Sequence, residues 1–417
     1  MTVCGCTEVV TPGLLDLFDA REQMIATARP VAGVERVSLG GAFRRVLAED
    51  VLAILDMPGV DNSAMDGYAL RMDELGAEGL PVALRVPAGA GVMRLPVGSC
   101  ARIFTGAPVP LGADAVVPQE RVTLDDHGRM HIEGELTEGA NIRRRGEETR
   151  EGELLLPEGA RLDAAAIAML ASHGINEAVV VRRLKVALLS TGDELIEPGT
   201  ARVPGQVYDS NRVLLRALLD QAGCEVLDLG VIADAPFDLH QAFGLASDEA
   251  DLVICTGGVS VGEEDHVRPV IERLGGIAFH GVAMKPGKPF ALGYLGDSLA
   301  GGTPLIALPG NPVASLVGWQ LLALPFVQVC QGGEAAALQH FPVTAGFSRR
   351  GPKGRRELLR VVLDWAPGAP VAHLAGGQGS HMLSAASQAN GYLMVDANKD
   401  VEEGHAYEYF PVAQFLD

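Results

Sequence analysis

Aromatic residues are scarce in this 417-residue chain, at 5% of the total, whereas glycine occurs 51 times. Few aromatics and many glycines suit an α/β protein with numerous turns. Basic residues are also few, with 33 Lys and Arg against 53 Asp and Glu, which gives a formal net charge of −20. A field of this sign repels phosphate backbones, so nucleic acid is excluded as a general partner. A phosphorylated small molecule still fits where basic side chains converge locally.

Cysteines are few, and they do not form a recognisable disulfide or metal pattern. The 6 cysteines include Cys100, Cys224, Cys255 and Cys330, which stand singly in apolar contexts, as reduced core thiols do. The Cys4-Gly5-Cys6 pair has no second pair or histidine at ligand spacing. A metal or redox role for that pair is therefore the weaker interpretation.

Long apolar runs are absent as well. We expect no run of membrane-spanning length, and the N-terminus lacks a basic-then-apolar signal pattern. The longest apolar candidate, 313–330, contains Gly318, Gln320, Pro325 and Gln328, a composition that predicts a packed helix. These absences predict a cytoplasmic protein with no membrane partner.

The stretch Asp251–Asp265, DLVICTGGVSVGEED, organises the rest of the chain. Its apolar run Leu252–Cys255 predicts a buried strand of a parallel sheet. Thr256, Gly257 and Gly258 follow, and glycines allow a tight turn with close approach to a ligand. Such a turn is where open α/β sheets bind anions, although an ordinary strand-to-helix loop explains this stretch equally well when it is taken alone.

Acidic residues follow the ends of neighbouring predicted strands. Glu194 comes after strand 186–189, Asp234 after strand 225–229, and Asp265 after the glycine turn. Because the carboxyl ends of parallel strands meet at one edge of a sheet, we expect these carboxylates to converge. Acids in that position could hold a cation that bridges to phosphate.

Cations are predicted at the same edge by Met284–Pro289, MKPGKP. Lys285 and Lys288 flank a stiff Pro-Gly turn that would present both ammonium groups outward. Lone lysines are usually surface residues, but a framed pair opposite acids favours phosphate or oxyanion binding. The LPGNP turn that follows supplies Asn311 as a helix cap.

The regions flanking this core predict β structure. Short strands and Pro/Gly turns fill 80–136, and Asp66 stands beside a glycine in the preceding loop, a way of presenting an acid. Asn141–Glu148, NIRRRGEE, fits either a solvated charged face or an arginine clamp for an anion. Beyond residue 332 the pattern predicts a small C-terminal barrel or sandwich.

We therefore predict a multidomain α/β protein with a central doubly wound domain. The predicted parts are an N-terminal helix packing on the central domain (1–29), a small α/β linking domain (30–50 and 146–183), a β-rich inserted domain (51–145), the α/β domain (184–332) and a C-terminal β-barrel-like domain (333–417).

Motifs along essentially the whole chain resemble those of molybdopterin molybdotransferases, a family related to the C-terminal domain of gephyrin. In chain order they are DNSAMDGYA, IFTGAPVPLGADAVV, NIRRRGEE, STGDEL, YDSN, TGGVSVGEED, MKPGKPF, LPGNPV and QGSH. The resemblance implies the last step of molybdenum cofactor assembly. In that step adenylylated molybdopterin and molybdate give molybdenum cofactor and AMP, with a divalent cation that is usually Mg²⁺. It also implies a homodimer whose α/β domain binds molybdopterin, and makes the molybdopterin adenylyltransferase a candidate partner.

The resemblance also assigns roles to residues. Glu194, Asp234 and Asp265 would hold Mg²⁺, and Asp66, Asp234, Asp265, Lys285 and Lys288 are the implied catalytic residues. The implied substrate-binding residues are Thr105, Glu148, Thr256, Gly257, Gly258, Ser260, Pro309, Asn311, Arg360 and Ser380.

Some of these roles are more specific. Lys285, Lys288, Arg360 and Ser380 would contact molybdate and phosphate oxygens, with the Pro309 turn. Asp66 and Thr105 would close the site from the partner subunit. One departure is Glu148, where the family often has aspartate.

Other classes of function stay open at this point. A non-catalytic scaffold is one, because gephyrin clusters a receptor with this architecture, but the retained acids and lysines count against it. An adenylyltransferase or nucleotide-cleaving activity on the same α/β core is another. The β insertion and the C-terminal barrel favour the molybdotransferase.

Overall fold

The structure is a computed structural model that describes residues 13–258, 266–365 and 368–415. Cys4, Cys6, Ser260 and Asp265, which the sequence singled out, lie outside these residues. The chain forms two compact units. The first comprises Met1–Arg36, Arg44–Ala48 and Val179–Asp417, and the second comprises Val37–Phe43 and Glu49–Ala178.

A six-stranded sheet forms the centre of the first unit. In spatial order its strands are Glu225–Ile232, Lys185–Thr191, Leu252–Thr256, Thr303–Leu308, Ala291–Leu295 and Gly275–His280. The first four strands in this order are parallel to one another. Ala291–Leu295 pairs antiparallel with Thr303–Leu308 on one side and with Gly275–His280 on the other. A short parallel pair, Leu195–Ile196 with Val207–Tyr208, follows the carboxyl end of Lys185–Thr191.

Helices cover both faces of this sheet. Successive side chains of a strand point to opposite faces, so a strand that is apolar throughout gives both faces a core to bury. Leu188, Ile254 and Ile306 belong to one core cluster, whereas Leu189 and Cys255 belong to the other. The helices of this unit are Leu17–Thr27, Ser210–Gln221, Pro236–Glu249, Val267–Leu274, Pro312–Gly318, Leu324–Cys330 and Leu383–Gln388, with a π-helical turn at Trp319–Ala323. The doubly wound α/β domain is confirmed.

The C-terminal strands close into a β-barrel beside the α/β sheet. Its strands are Phe341–Ala345, Arg356–Asp364, Val371–Leu374, Gly391–Val395 and Ala406–Pro411. Arg356–Asp364 pairs with both Val371–Leu374 and Gly391–Val395, which closes the ring. Met284–Lys285 adds to this barrel in parallel with Arg356–Asp364. The predicted barrel is confirmed, and it acquires one short strand from the preceding domain.

The second unit is β-rich, as predicted. Its six-stranded sheet has the spatial order Ala115–Pro118, Gly67–Leu70, Cys100–Ile103, Leu80–Val86, Arg129–Ile132 and Val122–Leu124. Small pairs join Asn62–Ser63 to Ile142–Arg143 and Val51–Leu52 to Leu154–Leu156. One α-helix, Ala164–Ser172, is described here, capped by Asp163. The strands Val34–Ser38 and Glu177–Val181 lie where the chain passes from one unit to the other.

The continuous helical stretch Pro312–Cys330 corrects one expectation. By length and composition alone it could cross a membrane, with a hydropathy of 1.7, whereas the sequence led us to expect no such run. However, 83% of that window is buried inside the fold. Trp319, Leu322 and Phe326 are almost wholly buried in the core cluster on one face of the sheet. The stretch is therefore the packed helix that its composition predicted.

The boundaries of the five smaller parts that the sequence predicted stay a prediction. The compact units separate the β-rich region from the rest, but the predicted linking segments 30–50 and 146–183 fall partly in each unit.

Helix Pro236–Glu249 offers a matched test of which of its own faces packs against the sheet. Phe243 is 0% exposed and Phe237 is 69% exposed on the same helix. Phe243→Ala should cost about 3–5 kcal/mol of stability, since it leaves a cavity against the sheet. Phe237→Ala, the control, should stay within about 0.5 kcal/mol. Urea unfolding of both variants measures the difference, and equal midpoints would contradict this packing.

Candidate functional site

The glycine turn after strand Leu252–Thr256 passes very close to the neighbouring strand. Gly257 has φ 92°, and a Cβ added there would lie 2.4 Å from the carbonyl oxygen of Thr191. Gly258 has φ 61°, and its Cβ would lie 2.2 Å from Cγ2 of Val267. Both the left-handed backbone and the lack of space therefore require glycine.

A small recess of about 240 Å³ opens at this turn. It lies where the sequence predicted a site, at the carboxyl ends of Lys185–Thr191 and Leu252–Thr256. Its lining residues are Thr191, Gly192, Glu194, Leu195, Asn211, Asp234, Thr256, Gly257, Gly258, Pro289, Pro309 and Gly310. Glu194, Asp234 and the glycine turn are thus brought together, as the strand order predicted.

Asn211 fixes the segments around this recess. Its Nδ2 donates to Thr256 Oγ1 at 2.8 Å and to the Gly310 carbonyl at 2.7 Å. Thr256 Oγ1 in turn donates to the Pro309 carbonyl at 3.3 Å. Asn211 is 8% exposed and Thr256 is 1% exposed, so water does not compete strongly with these bonds. The bonds connect helix Ser210–Gln221, the glycine turn and the LPGNP turn.

A larger cleft of about 1000 Å³ adjoins the recess and shares Glu194, Asn211 and Pro309 with it. Lys285, Lys288, Arg349 and Arg355 line it. The first two come from the MKPGKP turn and the last two from the C-terminal barrel domain. In a chain of net charge −20, this concentration of cations makes the cleft a local site for an anion.

The two lysines of the MKPGKP turn differ in their surroundings. Lys285 lies on the short strand that pairs with the barrel, directly opposite Glu357, and its Nζ is 3.0 Å from Glu357 Oε1. Lys288 is exposed, and the structure shows no ion pair for it among the residues it describes. Gly287, with φ 118°, permits the turn between them, since a Cβ would lie 2.5 Å from Met284 Cε.

The LPGNP turn brings a helix N-terminus to the cleft. Asn311 precedes helix Pro312–Gly318, whose proline occupies the first turn. Ser315 Oγ donates to the Pro309 carbonyl, and the Val313 N–H donates to the Ser380 carbonyl at 3.0 Å. The partial positive charge of a helix N-terminus favours an anion here.

Arg360 does not lie where the resemblance suggested, because it does not line the cleft. Its side chain is 1% exposed, and one terminal nitrogen donates to the carbonyls of Gly377 and Gly379, both at 3.2 Å. Gln378 also accepts from the Arg360 backbone N–H at 2.8 Å. In this structure Arg360 supports the loop that carries Ser380, whereas Ser380 and His381 do line the cleft.

The predicted cation site has only part of its ligand set in the described chain. Glu194 and Asp234 line the same recess, and carboxylate oxygens are the ligands that Mg²⁺ prefers. Among the described residues, however, no three His, Cys, Asp or Glu side chains lie close enough to hold a metal. The third predicted ligand, Asp265, lies outside those residues.

Asp66 and Thr105 belong to the second unit, where they contact each other. Asp66 Oδ1 accepts from the Thr105 N–H at 2.8 Å and from Thr105 Oγ1 at 2.7 Å. These bonds hold the pKa of the Asp66 carboxyl below its ordinary value, aided by the charge of Arg102. The loop therefore presents an ionised, oriented carboxylate at the surface of its unit.

Two of the three arginines of NIRRRGEE, also in the second unit, are paired with acids. Arg144 contacts Asp61 Oδ2 at 2.8 Å and Arg145 contacts Asp56 Oδ2 at 2.5 Å. Glu148 is exposed, and its N–H donates to the Met57 carbonyl at 3.0 Å. Of the two interpretations of this charge run, these contacts favour the paired, solvated face.

Sequence reasoning missed Asn211, Arg349, Arg355 and Glu357. Asn211 ends the YDSN motif, but no site role was assigned to it; the helix cap there is Asp209, which accepts from the Arg212 N–H. The basic residues Lys353, Arg355, Arg356 and Arg360 interrupt the β pattern of the C-terminal region. Nothing in their spacing indicated which of these side chains would line the cleft.

The doubly wound sheet, the glycine turn and the cation-lined cleft define an α/β protein with a site suited to anionic ligands at the carboxyl edge of its sheet. Family models match successive stretches of the chain. They are the MoeA N-terminal region (domain I and II) at 15–174, a probable molybdopterin binding domain at 187–329, and the MoeA C-terminal region (domain IV) at 342–412. The chain belongs to the MoeA family.

Similar proteins cover almost all of the chain. A Haemophilus influenzae protein named molybdopterin molybdenumtransferase is 38% identical over 409 residues, which are 97% of this chain and 100% of that protein. A Mycobacterium tuberculosis protein named molybdopterin molybdenumtransferase 2 is 36% identical over 398 residues, covering 91% and 94%. A solved MoeA structure from Pyrococcus horikoshii has a TM-score of 0.78 at 26% identity, covering 95% of this chain and 100% of that one.

The Asp66–Thr105 contact predicts a measurable change in the pKa of Asp66 when the Thr105 hydroxyl is removed. In Thr105→Val the pKa of Asp66 should rise towards its ordinary value, yet stay below it, because the backbone N–H of residue 105 still donates. A carboxyl whose pKa is lower in the folded state than in the unfolded state stabilises the fold at pH values above its ordinary pKa. This stability is lost as the pH falls through the folded-state pKa. The variant should therefore be less stable than the parent at neutral pH and equally stable in acid.

Carbon-detected NMR titration of the Asp66 carboxyl measures this shift. Thr123→Val, an exposed threonine elsewhere in the same unit, is the control and should leave the Asp66 pKa unchanged. An Asp66 titration that is identical in Thr105→Val and the parent would show that the hydroxyl contact has no effect.

Proposed function

We propose that this protein is a molybdopterin molybdenumtransferase that inserts molybdate into adenylylated molybdopterin, releases AMP and depends on Mg²⁺. The observation that carries the proposal is the cleft at the carboxyl edge of the α/β sheet. Four cationic side chains, Lys285, Lys288, Arg349 and Arg355, line it in a chain whose net charge is −20. The names of the relatives from Haemophilus influenzae and Mycobacterium tuberculosis agree with this function.

The charges of the reactants explain the need for such a cleft. Molybdate is an anion, and so is a pterin dithiolene that carries phosphate and AMP, so the two repel each other in water. Lysine and arginine side chains neutralise that repulsion and hold the reacting groups together. The partial positive charge at the N-terminus of helix Pro312–Gly318 adds to this attraction.

The α/β sheet and the barrel supply different parts of this surface. Gly257 and Gly258 line the recess and present no side chain to a phosphate-bearing ligand there. The cleft beside it carries the cations for a free oxyanion. We therefore place the adenylylated pterin across the recess and molybdate against the barrel side of the cleft.

Mg²⁺ fits the oxygen donors of Glu194 and Asp234, and we propose Asp265 as the remaining carboxylate. When bound, Mg²⁺ would withdraw charge from the scissile pyrophosphate linkage. Glu194 and Asp234 line the recess next to the glycine turn, which is where that linkage would lie. We further propose a cytoplasmic location and the molybdopterin adenylyltransferase as the partner that delivers the pterin.

An assay with adenylylated molybdopterin and molybdate, reading AMP release and cofactor formation, tests the function directly. Lys288→Ala should lower kcat/KM by about 10- to 100-fold, since an exposed ammonium that contacts a charged substrate contributes about 1.5–3 kcal/mol. Lys399→Ala, an exposed lysine paired to Asp396 outside the cleft, is the control and should keep full activity. A parent protein with no activity would favour the scaffold alternative.

We propose in addition that the active unit is a homodimer, with the Asp66 loop of one chain completing the cleft of the other. Thr105 orients the Asp66 carboxylate and keeps it ionised although it is not buried, and among the described residues no hydrogen bond engages its other oxygen, Oδ2. An oriented surface acid is typical of a group that acts on a ligand held elsewhere.

Complementation between inactive variants tests this arrangement. Asp66→Asn and Lys285→Ala should each lose most activity alone, yet a mixture should recover up to about a quarter of the parental sites, because mixed dimers restore one intact site. Dimer exchange is verified by size-exclusion chromatography of differently tagged chains. Mixed dimers that form and remain inactive would exclude a shared site.

A further inference from the structure

Glu357 is a buried carboxylate behind the wall of the cleft. It lies on barrel strand Arg356–Asp364 and is 3% exposed. One of its oxygens, Oε1, contacts Lys285 Nζ at 3.0 Å and a terminal nitrogen of Arg349 at 3.1 Å. A single buried oxygen thus links two of the cations that line the cleft.

The backbone fixes each member of this cluster independently. Lys285 lies opposite Glu357 in the parallel pairing of Met284–Lys285 with the barrel strand. Arg349 exchanges backbone hydrogen bonds with Val401, both at 2.8 Å. The side chains of Lys285 and Arg349 are 41% and 30% exposed, so both cations reach the cleft while their shared anchor does not.

The charge of Glu357 argues against a role in general anion affinity. A negative group beside two cations reduces their net charge from two to one, which weakens the attraction of any anion. A buried carboxylate that opposes binding in this way must serve another purpose, and its geometry supplies one. It holds two otherwise flexible side chains at one separation.

We infer that Glu357 is a positioning residue that holds Lys285 and Arg349 at a fixed separation. The inference, which rests on the proposed function, is that this pair selects molybdate over smaller tetrahedral dianions such as sulfate. Both anions have the same shape and charge near neutral pH, but Mo–O bonds are longer than S–O bonds. Charge alone cannot separate them. A fixed pair of donors can, because it matches one spacing of oxygens.

Arg349 has a further property that suits this role. Its Nε is buried and has no acceptor among the residues that the structure describes. A buried donor without an acceptor is unfavourable, and an oxygen of an anion in the cleft could satisfy it. The guanidinium fork would then face the anion while another nitrogen stays on Glu357.

The test measures binding of sodium molybdate and sodium sulfate to the full chain by isothermal titration calorimetry. In Glu357→Gln the ratio of the sulfate Kd to the molybdate Kd should fall at least 10-fold, because the amide cannot anchor both cations. Asp396→Asn is the matched control. It removes a carboxylate that pairs with Arg356 at 2.9 Å and Lys399 at 2.7 Å in the same domain but outside the cleft, so the ratio should not change.

Two results would overturn the inference. If both anions bind more tightly by the same factor in Glu357→Gln, the carboxylate acts only through its charge. Arg349→Lys keeps the positive charge and removes the guanidinium fork, so it tests the same geometry if Glu357→Gln does not fold. An unchanged ratio of the two Kd values in Arg349→Lys also overturns the inference. Parental protein that binds neither anion would instead contradict the proposed function, which separates the two failures.

Discussion

The pairing of Met284–Lys285 with barrel strand Arg356–Asp364 is the interaction on which the cleft depends. It is only two residues long, yet it joins a segment of the α/β domain to the edge of a closed barrel. The register sets Lys285 against Glu357, and the turn that follows exposes Lys288. This pairing places the lysines of the α/β domain beside the arginines of the barrel on one cleft surface.

The α/β core could be predicted from the sequence because its signals are local. The structure has the predicted strand 186–189 as Lys185–Thr191 and the predicted strand 225–229 as Glu225–Ile232. Glycine after a buried apolar run indicated the turn, and the structure explains that composition by the approach of Thr191 to Gly257. The convergence of Glu194 and Asp234 followed from strand order alone, since parallel strands end at one edge of a sheet.

The barrel side of the site could not be predicted in the same way. Which of the basic residues between 349 and 360 lines the cleft depends on the closure of the barrel, a contact between strands far apart in sequence. Arg360 illustrates the difficulty, because it matches a family position and is nevertheless buried under the loop that carries Ser380. Arg349 has no distinguishing neighbour in the sequence, and only the position of Glu357 marks it.

The distribution of charge within the cleft completes the physical picture. Lys285 and Arg349 share a buried carboxylate, whereas Lys288 and Arg355 form no ion pair among the described residues. The first pair has a fixed geometry and a reduced charge, and the second pair has a full charge and more freedom. Long-range attraction of anions against the field of an acidic chain therefore falls to Lys288 and Arg355. Discrimination at short range falls to the anchored pair, since separation and not charge distinguishes tetrahedral dianions of different size.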